Sequence, residues 1–302
     1  MTAAATARGS GWLRAMPAVF VLIWSTGFIV ARYGMPYAPP LKFLAVRYAL
    51  SLVCFCIWVA LARVAWPKER AQWGHLAATG VLMQAGYLGG VWAAVHAGMG
   101  AGLVALMVGI QPVLTAIWLS FTGGRISQRQ WAGLVLGFAG LVLVVSRKFG
   151  QGTEVSALTM GLAVMALLSI TAGTLYQKRF VAPCDVRAAG LVQMCAAFVL
   201  TAPLALLESD PMHVNGHLAG AMAWSVLVLT LGGSSLLYLL IQRGAATVVT
   251  SLMYLVPPCT ALLAWLLFGE AITVFTVLGM GMAAIGVSLV VRSSPPPAVV
   301  PE

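Results

Sequence analysis

Runs of about twenty apolar residues alternate along the chain with short polar connectors, most of them containing Gly, Pro or charge. The runs fall at 15–34, 41–62, 75–95, 100–121, 129–147, 157–177, 187–207, 219–241, 245–268 and 272–292. About 20 helical residues cross a hydrocarbon core of about 30 Å. Each run therefore predicts one transmembrane helix. The runs are too long for barrel strands and do not alternate strictly between apolar and polar positions. The pattern predicts an all-α, polytopic membrane protein of ten helices.

The pattern also repeats. "LMVGIQPVLTAIWLSFTGG" begins at Leu106 and "LMYLVPPCTALLAWLLFGE" at Leu252. Pro112 and Pro258 are 258 − 112 = 146 residues apart. At that offset Met107 meets Met253, Gly123 meets Gly269, Gly133 meets Gly279 and Gly140 meets Gly286. Gly27 meets Gly173 and Gly86 meets Gly232 without a gap in register. The chain thus divides into a first five-helix repeat over 15–147 and a second over 157–292. Five is odd, so the second copy enters the membrane with opposite polarity. That is the inverted-repeat plan of many secondary transporters, which bind solute between the copies. The Pro-rich tail at 293–302, "SSPPPAVVPE", is expected to be disordered.

Composition supports the membrane assignment. The chain is 61% hydrophobic and only 8% charged, with a mean hydropathy of +0.97. Soluble domains carry about 25% charged residues. The net charge of +10 makes no nucleic-acid stripe, because the basic residues sit between apolar runs. Their distribution sets orientation instead. With a cytoplasmic N-terminus, the inner segments hold Arg8, Arg14, Arg63, Lys68, Arg70, Arg125, Arg129, Lys178, Arg179, Arg187, Arg243 and Arg292. The outer segments hold Arg32, Lys42, Arg147 and Lys148. The positive-inside rule places both termini in the cytoplasm. The stretch Met16 to Ala31 is long for a signal-peptide core and reads as a retained first helix. Cys54, Cys56, Cys184, Cys195 and Cys259 lack metal-ligand spacing, and their odd number argues against a full disulfide framework.

These features resemble a known family. Two five-helix repeats, "WSTGF" in the first helix, an Arg in the second ("LKFLAVRYAL") and the paired Pro segments are similar to the drug/metabolite transporter superfamily, EamA type. The likeness is greatest to the YddG-like amino-acid exporters of bacterial inner membranes, which also pass aromatic and toxic cationic compounds. It implies alternating access around a central cavity, no cofactor, and a small-molecule substrate and the lipid bilayer as partners. The internal duplication favours a self-contained monomer. The repeat departs from itself at Arg47, which aligns with Gln193.

Candidate functional residues are polar or aromatic groups within apolar runs. Polar side chains in hydrocarbon seek partners, so they face protein or a wet cavity. The substrate-binding candidates are Trp24, Ser25, Gln84, Tyr87, Trp92, Gln111, Trp118, Ser234, Tyr238 and Tyr254. Each also has a plain reading as an interhelical hydrogen bond or an interfacial aromatic. Gln84, Tyr87 and Trp92 align with Thr230, Gly233 and Tyr238, so a polar-aromatic face recurs. Such a face suits amino acids and small amphipathic solutes, with aromatic rings able to hold an ammonium group. Pro112 and Pro258 are hinge or gate candidates, because proline removes a backbone hydrogen bond and kinks a helix; a static packing kink is the alternative. Arg47 is the one charge well inside a predicted helix, a position that costs about 2.5–3.5 kcal/mol on insertion scales. It has a substrate or gate role, or a structural one, and lies within snorkelling reach of the outer surface.

The absences narrow the classes. No Asp or Glu lies in a helix interior, which points to facilitated or potential-driven passage rather than a membrane-embedded proton carrier. No HExxH, Walker loop or Gly-x-Ser-x-Gly motif occurs, so an intramembrane enzyme lacks its chemistry. The competing classes are a channel or structural membrane subunit, and an exporter of other metabolites such as nucleotide-sugar-like or lipid solutes. The topology has a direct test. A reporter active only outside the cytoplasm should be silent when fused after Glu302 or at Lys68, and active in the connector at 208–218. The reverse pattern inverts the assignment.

Overall fold

The computed structural model describes residues 3–122, 127–148, 155–243 and 255–292; the tail at 293–302 and residues 245–254 of the ninth predicted run, including Tyr254, lie outside them. Among the described residues there are helices and no strands. The helices are α1 (Ala3–Gly34), α2 (Pro40–Leu61), α3 (Arg70–Gly80), α4 (Tyr87–His96), α5 (Ala101–Val108), α6 (Gln111–Phe121) and α7 (Gln128–Lys148). They continue as α8 (Ala157–Phe180), α9 (Val186–Ala205), α10 (Gly216–Ala223), α11 (Ser235–Arg243), α12 (Val256–Phe268) and α13 (Val274–Arg292). Six described helical stretches are long and apolar enough to cross a membrane: Met16–Gly34, Pro40–Leu61, Ala101–Trp118, Ala157–Phe180, Val186–Ala205 and Gly216–Gln242. Val256–Phe268 and Val274–Gly286 are shorter apolar helices. The architecture is that of a polytopic membrane protein.

Helix starts are covered locally or from across the fold. Ser156 and Thr159 form a capping box on α8, and Asn215 accepts from Leu218 N at the start of α10. Asp185 caps α9 by accepting from Arg187 N, and the Arg187 guanidinium hydrogen-bonded to it holds its carboxyl below the usual range. The start of α2 has no local cap. Its Leu41 and Lys42 N–H groups donate to the two carboxylate oxygens of Glu208, 167 and 166 residues away, at 3.0 and 2.8 Å. Glu270 likewise accepts from Ala101 N at the start of α5. A carboxylate at a helix N-terminus also meets the positive end of the helix dipole.

Two helices widen to π geometry. Val81–Gly86 joins α3 to α4, and Trp224–Ser234 joins α10 to α11. Moved by the offset of 146, the first segment falls within the second. In the second, Thr230 Oγ1 and Ser234 Oγ donate to the carbonyls of Ser225 and Leu229, each five residues back. π turns concentrate at functional sites.

The proline expectation is revised. The 100–121 run is not one kinked helix. α5 stops at Val108, Gly109 and Ile110 form a turn, and α6 begins at Gln111 with Pro112 as its second residue. Proline has no N–H to give to the preceding turn and clashes with the carbonyl four residues earlier, here Val108, but it suits a first helical turn. Pro257 and Pro258 occupy the same place in α12. The α5–α6 turn meets the start of α12, since a Cβ on Gly109 would press on Pro257 Cγ at 2.9 Å.

Close contacts come in pairs related by the same offset, with the two halves exchanged. Gly27 faces Leu229, and Gly173 faces Met83. Gly86 faces Ser169, and Gly232 faces Ile23. Gly140 lies against the Gly279 carbonyl and Gly286 against the Gly133 carbonyl, which brings the backbones of α7 and α13 together. A side chain at Gly140 or Gly286, each set against a facing backbone carbonyl, must push α7 and α13 apart. Gly140→Leu should lower stability by at least about 1–3 kcal/mol. Gly281, whose Cβ position is open, should tolerate Ala. Thermal unfolding in detergent compares the two, and equal midpoints would contradict the close-packing account.

Candidate functional site

A narrow cavity of about 30 Å³ lies between the two halves. From α1 it takes Trp24, Gly27 and Phe28, spaced three and four apart on one face. Arg47 enters from α2, Met83 and Gln84 from the first π segment, and Tyr87, Val91 and Trp92 from α4. Leu229 and Ser234 close it from the second π segment.

The polar groups form two hydrogen-bonded sets, one around Arg47 and one around Gln84. Arg47 Nε donates to Thr230 Oγ1 at 3.1 Å, and Tyr48 Oη donates to the Gln84 carbonyl at 2.7 Å. Gln84 Nε2 reaches Ser234 Oγ at 3.4 Å. The aromatic walls are ordered by stacking. Trp24 and Tyr87 lie nearly parallel with centroids 6.0 Å apart, and Phe43 backs Trp92 at 4.3 Å. Arg47 is 2% exposed, so it does not snorkel to the surface. Among the described residues it is the one charged side chain lining the cavity, and no carboxylate among them lines it. The arrangement offers a positive hydrogen-bond donor, neutral polar groups and aromatic faces in a desolvated space. A carboxylate is the natural complement of such a guanidinium.

One turn further along α1 and α4 the space widens. Arg32, Tyr33, Tyr37, His96, His217 and Phe268 line a vestibule of about 630 Å³ at the end that carries the 35–39 and 97–100 connectors. Tyr33 Oη meets His217 Nδ1 at 2.6 Å. At the opposite end Gln72 Nε2 donates to the Ala182 carbonyl and its Oε1 accepts from Ala182 N, which joins α3 to the 181–185 connector.

The sequence-derived candidates divide. Trp24, Gln84, Tyr87, Trp92, Ser234 and Arg47 share the cavity. Ser25 is buried beside it and donates to Val21 O, with Val256 O at 3.5 Å. Gln111 Nε2 donates to Thr174 Oγ1 and Ile170 O of α8, away from the cavity, while its Oε1 is buried without a partner among the described residues. Trp118 is 55% exposed on the outer face of α6 and takes no part in the cavity. The phenol of Tyr238 contacts Cys184 Sγ at 2.9 Å, one turn beyond Ser234. Pro112 and Pro258 lie in the first turns of α6 and α12 and do not line the cavity. Tyr254 lies outside the described residues. Thr230, which fixes Arg47, was not among the candidates; its alignment with Gln84 under the 146 offset was the available signal.

The comparisons with known proteins agree in kind. The model of the EamA-like transporter family matches residues 15–146 and 157–292. The chain is 26% identical over 272 residues to YedA of Escherichia coli K12, called an uncharacterized inner membrane transporter, covering 89% of this chain and 87% of that protein. It is 26% identical over 265 residues to a probable amino-acid metabolite efflux pump of Salmonella typhimurium, covering 84% and 86%. A solved crystal structure superimposes with a TM-score of 0.72 at 16% identity over 91% of this chain and 94% of that one, a likeness of fold.

The Arg47–Thr230 bond has a measurable weight. Thr230→Val keeps the shape and strands a buried guanidinium donor, at a cost of about 1–3 kcal/mol. Thr230→Ser keeps the acceptor and should sit close to wild type. Thermal midpoints of the two variants give the comparison, and a neutral Thr230→Val would show that Arg47 is held by other groups.

Proposed function

Because the chain belongs to the EamA-like transporter family, both halves of its sequence matching that model, we propose that this membrane transporter exports amino acids, aromatic ones included, and related small metabolites across a bacterial inner membrane. Solute passes by alternating access through the cavity around Arg47. The observation that carries the reading is the buried guanidinium in an aromatic-walled cavity between the halves. It favours solutes bearing a carboxylate over the toxic cations that some exporters pass. The name of the Salmonella relative, a probable amino-acid metabolite efflux pump, points the same way.

The alternating-access mechanism rests on two inverted five-helix repeats, ten crossings in all, with both termini cytoplasmic. The exchanged glycine contacts and the recurring π segments support that plan. So do the prolines in the first turns of α6 and α12. The narrow cavity and wide vestibule are what one end open and the other closed would produce. The transport unit is the monomer. Transport runs without proton coupling through an embedded carboxylate; among the described residues no Asp or Glu is buried.

Proteoliposomes loaded with a panel of radiolabelled amino acids test the reading. Saturable flux is expected for at least one aromatic amino acid, with Arg47→Gln lowering it at least about tenfold, as loss of one charge-assisted hydrogen bond requires. An aromatic amino acid is a net-neutral zwitterion, so its uncoupled flux should follow the amino-acid gradient and ignore a pH gradient at zero potential. No saturable flux of any amino acid removes the substrate class, and flux that tracks the pH gradient alone removes the uncoupled mechanism.

A further inference from the structure

Arg47 has a counterpart at the 146 offset, and that counterpart faces a second cavity. Gln193 of α9 is 6% exposed and its Nε2 has no hydrogen-bond partner among the described residues. It lines a small space of about 10 Å³ together with Phe55, Gly190, Ser234, Ser235 and Tyr238. Ser235 Oγ is also buried there without a partner. Ser234 lines this space and the Arg47 cavity alike. Tyr238 and Cys184 shut the small cavity on the side of the 181–185 connector.

A buried amide donor without a partner costs about 1–3 kcal/mol, as does a hydroxyl. Two such groups on residues that line one space beside a transport cavity point to a polar ligand in another state of the cycle. We propose that Gln193 and Ser235 form an inner subsite for the carboxylate of the transported solute, passed through before Arg47. This rests on the export reading above. The chemistry of the two stops differs in a useful way. Gln193 offers a neutral donor, which holds a carboxylate weakly. Arg47 offers a charged one, which holds it more strongly. A solute entering past Tyr238 therefore meets the weak site first and the strong site second, with Ser234 lining both. The space is too small for an amino acid in this conformation, so occupancy requires Tyr238 to withdraw from Cys184.

Two measurements test the subsite, one of them independent of transport. In membrane vesicles of each orientation, Gln193→Leu should raise the KM for L-phenylalanine about tenfold from the face carrying the 181–185 connector. The KM from the vestibule face should stay within twofold. L-phenylalaninamide, which lacks the carboxylate, should lose nothing further in the variant. Unchanged KM from both faces, with wild-type flux intact, overturns the subsite and leaves the export reading standing. In the second measurement, Ser235→Cys is treated with a small water-soluble thiosulfonate and the label is located by mass spectrometry. Labelling from the 181–185 face above that of Leu200→Cys, on the exposed face of α9, is expected. Labelling no greater than this control overturns the subsite. Labelling above the control when no amino acid is carried keeps the polar path and removes the proposed substrate class.

Discussion

A lipid bilayer gives backbone N–H and C=O groups nothing to bond to, and this constraint governs the fold. An unsatisfied group in hydrocarbon costs several kcal/mol, so the described chain is helical wherever it is ordered into elements. Departures from regular helix are tolerated only where protein covers them. The Gly109–Ile110 turn is buried against Pro257. The uncapped starts of α2 and α5 receive carboxylates, Glu208 and Glu270, from the other half of the chain. The π segments bring their extra carbonyls within reach of Thr230 and Ser234 hydroxyls. Each irregularity is thus also a tie between distant parts of the sequence.

Hydrocarbon also removes the usual hydrophobic drive for helix association, and close packing of small residues takes its place. The glycines at 133, 140, 279 and 286 let α7 and α13 approach at backbone distance. Gly80 does the same against the backbone of Gln193, and Gly90 against Leu162. Helices held this closely act as rigid bodies.

The cavity places one charge among aromatics, and the cost of burying it explains its surroundings. Arg47 does not reach water. Thr230 takes one of its donors, while the Trp24 and Tyr87 rings and the Gln84 side chain shape the space it faces. A guanidinium kept this dry interacts strongly with any anion that enters, because the local dielectric is low. Retaining a charge here at a cost in folding is the ordinary signature of a functional group within the membrane.

Much of this protein was legible in its residues, because membrane insertion depends on local composition. Run length, the Lys and Arg distribution and the unbroken 146-residue register are one-dimensional signals, and they suffice for helices, class and family resemblance. Polar residues in apolar runs could be listed from sequence too, but not sorted. Gln84 and Gln111 look alike along the chain, yet one lines the cavity and the other donates to Thr174. Trp24 and Trp118 are both aromatics within apolar runs, yet one stacks on Tyr87 and the other faces outward. Arg47 is near enough to a helix end to snorkel, and only the partner Thr230 across the halves turns it inward. Pro112 reads as a kink until the turn at Gly109 and Ile110 makes it a start. Sequence by itself determined what each segment is, since partition into the bilayer is decided segment by segment. Tertiary structure decided which face of each segment meets which neighbour, since rotation about a helix axis is set by packing between distant residues.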